Sequence, residues 1–270
     1  MVASDKLFAG SIPEIYDRFM VPLIFEPYAC DLAERLAKTA PRDVLETAAG
    51  TGVLTRAMLS KLPGGTRIVA TDLNQPMLDR AASQSAGGPV EWRQADALAL
   101  PFADQSFEAV ACQFGAMFFP DKVLAYKEAR RVLRPGGHFF FNVWDKIADN
   151  EFADIVTQAL EARFPHDPPR FMARTPHGYH DAEQIRHELN AAGFTAVSID
   201  AVDHRSKAPS PRDPATAYCQ GTPLRNEIEA RDASGLEAAT QQATEALARQ
   251  FGTGAVDGRI RALVVTAGPY

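Results

Sequence analysis

Cysteine is scarce in this chain. Its three, Cys30, Cys112 and Cys219 among 270 residues, are widely spaced and form no C-x-x-C pair. That excludes a disulfide framework, offers no ligand set for zinc so that no metal is expected, and fits a reducing cytoplasm. Nowhere does an apolar run reach the roughly 18 residues of a spanning helix, so no transmembrane segment is expected. The most apolar stretch, Phe19 to Phe25, is flanked by Asp17, Arg18 and Glu26 and reads as a helix or loop buried against the body. The first residues lack the basic segment, apolar core and small-residue cleavage site of a signal peptide. Positive charge is in deficit as well: 28 Lys and Arg against 34 Asp and Glu give a formal net charge of −6. With no run of lysine or arginine either, a nucleic-acid partner is not expected.

What is present is a turn of small residues behind an apolar strand. Val44-Leu45-Glu46-Thr47-Ala48-Ala49-Gly50-Thr51-Gly52 reads as a strand ending in an acid, then a glycine turn that opens a helix from Val53 to Leu62. Gly50 and Gly52 can take positive φ and have no Cβ to hold a ligand off the backbone. The helix behind them presents unpaired N–H groups to a carboxylate or phosphate. The third glycine of the dinucleotide fingerprint is missing, and Thr55 stands in its place.

Strands and helices then alternate. After Pro63-Gly64-Gly65, Arg67 to Asp72 is a second apolar strand ending in an acid, about twenty residues beyond Gly52, where a ribose-binding carboxylate belongs; a helix cap is the other reading. Gln75 to Ser85 reads as a helix ended by Gly87-Gly88-Pro89, Val90 to Ala95 as a third strand followed by Asp96-Ala97, and Phe107 to Phe114 as a fourth, apolar on both faces. Cys112 within it reads as an inert core thiol. Asp121 to Leu133 is a helix, Arg134-Pro135-Gly136-Gly137 a tight turn and His138 to Trp144 a fifth strand, with His138 structural. Such alternation predicts a doubly wound, mostly parallel α/β sheet with its ligand outside the strand carboxyl ends, where Glu46, Asp72, Asp96 and Gln113 fall.

Four of these stretches, VLETAAGTG, ATDLNQPML, QADALALPFADQSFEAV and RVLRPGGHFFFNVW, resemble in order the motifs of the class I S-adenosylmethionine-dependent methyltransferases, particularly the small-molecule branch of the ubiquinone and menaquinone C-methyltransferases. The resemblance is strong over residues 40–145 and general elsewhere. It implies a seven-stranded sheet with an antiparallel last strand, and S-adenosyl-L-methionine as cofactor with S-adenosyl-L-homocysteine as product. By the same resemblance Glu46 and the Gly50 to Gly52 turn hold the methionine end, Asp72 the ribose, and Met77 packs near the ribose or adenine. Asp96 accepts from the adenine amine, Ala97 offers backbone to the ring, Leu73 and Ala95 stand beside these acids, and Gln113 and Phe114 border the sulfonium. Ala48 occupies the place of the family's usual first glycine, and a negative φ there would absorb its methyl.

The flanking regions are less explicit. Residues 11–40 predict two helices separated by a break holding Pro22 and Pro27, with Tyr16 and Tyr28 either facing a ligand or packing in the body. Phe152 to Phe164 reads as a helix, and the loop to His180 as a lid or a solvated connector. Asp181 caps a further helix stopped by Gly193, and Phe194 to Arg205 is a sixth strand. Before a last strand at Arg259 to Thr266, residues 207–257 form an insertion, with PSPRDP as linker and helices at Pro223 to Arg231 and Gly235 to Phe251.

The expectation is one domain: an N-terminal helical cap (1–40), a cofactor core (41–145), and a lid, insertion and closing strands (146–270). Its function is in-line methyl transfer to a small acceptor, hydrophobic or aromatic if Phe114, Met117, Phe118 and Phe119 wall its pocket. No catalytic base is obligatory, because the sulfonium leaving group is already activated; His177, Tyr179 and His180 are the candidates if one is used. The alternatives are a nicotinamide-dependent oxidoreductase and a non-catalytic scaffold retaining the cofactor fold. The acceptor and the oligomeric state are left open, a homodimer among the options.

Overall fold

Alternating apolar strands and amphipathic helices build a seven-stranded sheet in the order β3-β2-β1-β4-β5-β7-β6. The coordinates are a computed structural model that describes residues 12–85 and 89–268. The glycine stop expected at Gly87-Gly88 lies outside the described residues, as does Ser11 at the start of the first helical reading. The strands are β1 (Asp43–Glu46), β2 (Arg67–Asp72), β3 (Val90–Gln94), β4 (Phe107–Gln113), β5 (Leu133–Trp144), β6 (Val197–Ala208) and β7 (Val256–Ala267). β1 pairs in parallel with β2 and β4, β2 with β3, and β4 with β5. In β6 and β7 the ion pairs Arg261–Asp203 and Arg205–Asp257, and the Gly268 amide donating to the Ala196 carbonyl, match rising numbers with falling ones. The last strand is therefore antiparallel, and the α/β class expected from the sequence is the one observed.

From β1 the chain steps outward through β2 to β3, then returns to β4 and steps the other way to β5. Strand order reverses between β1 and β4, which marks the ligand crevice at their carboxyl ends.

The chain forms two compact units. Among the described residues, one takes Pro27–Val143, His180–Val202 and residues 262–268; the other takes residues 12–26 with Trp144–Tyr179 and Asp203–Arg261. The first holds the parallel strands and the helices α3 (Val53–Lys61), α4 (Gln75–Gln84), α5 (Lys122–Val132) and α8 (Ala182–Ala191). Val44, Leu45, Val69, Val110 and Phe141 are fully buried, as strands covered on both faces require. Tyr126 stacks on Phe141, and Phe139 lies against both Phe141 and Phe194. Asp121 caps α5 through the Leu124 amide, and Asp181 caps α8 through the amides of Glu183 and Gln184.

The second unit is mainly helical, with α6 (Glu151–Arg163), α7 (Phe171–Arg174), α9 (Arg212–Gln220), α10 (Leu224–Arg231) and α11 (Leu236–Phe251). The stripe Ala239, Ala243 and Leu247 of α11 buries against α6 and α9, and Phe251 meets Phe152 edge-on.

Four local expectations are corrected. No break separates the first two helices: α1 (Ile12–Ile15) runs through a π-helical stretch, Tyr16–Phe25, directly into α2 (Glu26–Ala37). Pro22 lies inside that stretch, and the Glu26 amide reaches back to the Val21 carbonyl, five residues behind. Wider π spacing makes room for a proline ring that would strike the carbonyl four residues back in an α-helix. The Arg134-Pro135-Gly136-Gly137 segment lies within β5 as a bulge, since Phe107 pairs with Leu133 and Ala109 with His138. The supposed linker PSPRDP begins a third insertion helix, α9, because Pro214 falls in its first turn, where no amide partner is lost. The loop before His180 contains the one-turn helix α7.

Candidate functional site

The crevice is assembled around the end of β1. Glu46 closes the strand, buried, with its carboxylate accepting the Thr55 hydroxyl of α3 while its own carbonyl accepts from Thr71. Burial pushes the Glu46 carboxyl up to about 8, against the Thr55 hydrogen bond and the Arg56 charge, with Asp72 adding a smaller upward push. The chain then turns through Ala48, Gly50 and Gly52, all at positive φ (53°, 56° and 80°), and Gly52 serves as the N-cap of α3. Ala48 thus contradicts the negative φ expected from the sequence. A side chain in this region carries roughly 1–2 kcal/mol of strain. Gly115 makes room for it: a methyl on Gly115 would overlap that of Ala48.

Asp72, at the end of β2, is buried beside the turn. One carboxylate oxygen accepts the Gly50 amide at 2.8 Å, and the other accepts the Asn74 amide at 2.8 Å and its side-chain nitrogen at 3.3 Å. Burial raises its pKa, and these amide bonds oppose the rise. The Asn74 amide bond is a local turn ahead of α4, whose N-cap is Asn74, so Asp72 does not cap the helix. The Gly50 bond is a second role, fastening the glycine turn to β2. Each oxygen can accept more than one donor, so a hydroxyl can still be received there.

The remaining predicted residues fall along the same edge of the sheet. Leu73 is exposed, its carbonyl accepting from Gln94, and Met77 is buried with its terminal methyl 3.8 Å from where a Gly50 Cβ would stand. The Ala95 amide donates to the Asp72 carbonyl, Asp96 is exposed and accepts the Leu98 amide, and Ala97 is half-buried. Gln113 and Phe114 end β4, both buried. Phe114 sits at φ 49° with its ring edge-on to Tyr28, whose hydroxyl donates to the Val202 carbonyl. Tyr28 is therefore a packing residue. Cys112 is buried, and burial pushes its thiol up to about 12, so it is inert as expected.

Sequence reasoning missed Thr55 as the partner of Glu46, Asn74 as the partner of Asp72, and both Gly115 and Asn142 beneath Phe114. It also missed Trp92, whose indole would lie 2.9 Å from a Cβ on Gly52. Only Thr55 left a signal, as the hydroxyl standing where the fingerprint has glycine.

The base candidates divide between the units, with His177 and Tyr179 in one and His180 in the other. His177 is buried against Trp144, and its Nδ1 lies 2.8 Å from the Asp145 carbonyl. A carbonyl only accepts, so Nδ1 carries the proton and Nε2 is the basic nitrogen of the neutral ring. Tyr179 is buried and His180 half-buried. Burial lowers the pKa of His138, which stacks on Phe140.

The site fits an adenosyl sulfonium on this structure's own terms: a bare-backbone turn, a buried carboxylate with acceptor capacity left, and a buried Thr51 hydroxyl between the two glycines with no hydrogen-bond partner among the described residues. The chain is also similar to known methyltransferases. A family model described as a methyltransferase domain matches residues 45–141. The ubiquinone/menaquinone biosynthesis C-methyltransferase UbiE of Klebsiella pneumoniae (strain 342) is 33% identical over 172 residues, 57% of this chain and 66% of that protein. The UbiE of Acidiphilium cryptum (strain JF-5) is 31% identical over 170 residues, 58% of this chain and 68% of that protein. The match thus spans just under two thirds of the first relative. Among solved structures, phosphoethanolamine N-methyltransferase 2 of Haemonchus contortus, in complex with phosphomonomethylethanolamine and S-adenosylhomocysteine, superposes with a TM-score of 0.61 at 15% identity. The alignment covers 100% of this chain and 61% of that one, a likeness of fold. The chain belongs to the class I S-adenosylmethionine-dependent methyltransferases, in their small-molecule branch.

Proposed function

We propose that this protein methylates a small hydrophobic or aromatic acceptor, with S-adenosylmethionine as donor. The cofactor supplies a methyl group on a positively charged sulfur. The chain's part is to bind, align and exclude water. Gly50 and Gly52 present backbone, Asp72 receives a hydroxyl, Leu73 and Met77 offer apolar cover, and Gln113 and Phe114 close the β4 side. Glu46, Ala48, Ala95, Asp96 and Ala97 complete the proposed set. The observation that carries the reading is the buried Asp72 carboxylate reaching the Gly50 amide, which places an acid and the bare turn together at the strand-order reversal.

Several features support a hydrophobic acceptor. Met117 is buried and Phe118 and Phe119 are half-buried behind β4. The relatives' names specify C-methylation in quinone biosynthesis, which favours a quinone precursor and attack by carbon. For an acceptor that must lose a proton, His177, Tyr179 and His180 are the candidate bases. The division into cap, core and lid is part of the same proposal. Among the described residues no helix is long and apolar enough to cross a membrane.

Calorimetry with S-adenosylmethionine, S-adenosylhomocysteine and NAD tests the proposal. Binding of the first two without NAD is expected. Tight NAD binding alone would restore the oxidoreductase reading, and sulfonium binding without turnover of any quinol, phenol or amine would favour a scaffold.

A further inference from the structure

We infer that Asn142 is a positioning residue for the cofactor crevice, holding the backbone of Phe114 in the left-handed turn that ends β4. The inference rests on the proposed function for its meaning, though not for its geometry. At φ 49° an aromatic residue is unfavourable and persists only where its surroundings hold it. The holding group is visible. The Phe114 amide donates to the Asn142 side-chain oxygen at 2.9 Å and to its main-chain carbonyl at 3.2 Å. Asn142 pairs with Gln113 in the sheet, so its side chain catches the first amide beyond the regular ladder.

Stability alone does not explain an amide here. Asn142 is fully buried, and Phe139, Phe140, Phe141, Val143 and Trp144 around it in β5 are all apolar. Its side-chain nitrogen has no hydrogen-bond partner among the described residues, so half of the amide is left unmet where an aliphatic side chain would leave nothing unmet. The oxygen is what the position uses.

A second contact ties this corner to the glycine turn. Gly115, next in the chain, has no space for a side chain, because a Cβ would overlap the Ala48 methyl and lie 2.8 Å from the Cys112 sulfur. Two left-handed residues that are not glycine, one from each wall, therefore meet at Gly115. Asn142 fixes the β4 partner of that pair and, with it, the two residues proposed to border the sulfonium.

The test uses the full-length protein, S-adenosylhomocysteine as calorimetric probe, and amide hydrogen exchange by NMR. Asn142→Leu is expected to weaken binding by on the order of tenfold and to lower the protection of the Phe114 amide, which keeps only the longer bond to the main-chain carbonyl of residue 142. Asn142→Asp keeps an acceptor oxygen in place and is expected to retain both within about threefold. In a Phe114→Gly background, where glycine adopts positive φ unaided, adding Asn142→Leu is expected to change affinity by less than about threefold. Asn142→Ala carries the same expectations if the leucine variant does not fold. An equal loss from Asn142→Leu in both backgrounds, or unchanged protection of the Phe114 amide, would overturn the inference. Absence of binding by the unaltered protein would instead defeat the cofactor reading, and hydrogen exchange would still decide the role of Asn142.

Discussion

Replacing Glu46 by glutamine should make the protein more stable, and increasingly so as pH rises. The folded-state value of about 8 lies well above the ordinary carboxylate value of 4.5, and burial is the chief cause. The unfolded chain gives up this proton near pH 4.5 while the folded chain keeps it to about 8, so the folded state binds more protons in between. Stability is then fully present below the unfolded value and is lost as pH rises towards the folded one. A rise of about three and a half units, at about 1.4 kcal/mol each, amounts to about 5 kcal/mol across that window. Glutamine still accepts the Thr55 hydroxyl and has nothing to ionise. Urea denaturation of both proteins from pH 5 to 9 should show the Glu46→Gln advantage growing by about 1.4 kcal/mol per pH unit to near pH 8, then levelling off. Parallel stability curves would refute the argument, because they would mean that Glu46 ionises in the folded protein as it does in water.

Other predictions follow from the same corner of the sheet. Asp72→Ala should weaken S-adenosylhomocysteine binding by about 1–3 kcal/mol, through a lost charge-assisted acceptor and a loosened Gly50 amide, as calorimetry would show. Ala48→Gly should raise unfolding stability by roughly 0.5–1 kcal/mol, since it relieves left-handed strain and returns only part of that gain as backbone entropy. Gly52→Ala should lower it by more than about 1 kcal/mol, since it combines positive φ with a methyl 2.9 Å from the Trp92 ring; thermal melts separate these two variants.

Much of this site could be read before any coordinate, for a physical reason. Strand ends, glycine turns and the acids that follow them are set by local periodicity, so Glu46, Asp72, Asp96 and Gln113 were placed on one edge from spacing alone. What escaped was written across the chain. Asn142 lies 28 residues from the Phe114 amide it receives, and inside an apolar strand nothing marks its amide as a partner. Ala48 looked harmless because its positive φ is set by the folded turn, and the room for its methyl comes from Gly115, a residue at another strand's end. Pro22 read as a helix break because the α-helix was the assumed spacing, and Pro214 read as linker because a proline at a helix start and one in a loop look alike in sequence.

A crystal structure with S-adenosylhomocysteine would show whether the Gly50–Gly52 turn and Asp72 hold an adenosyl cofactor at the β1–β4 reversal. The ribose hydroxyls are expected on the Asp72 carboxylate, with the amino-acid end against the turn. A molecule bound elsewhere, or a crevice filled by Met77 with no room beside Gly50, would contradict that placement.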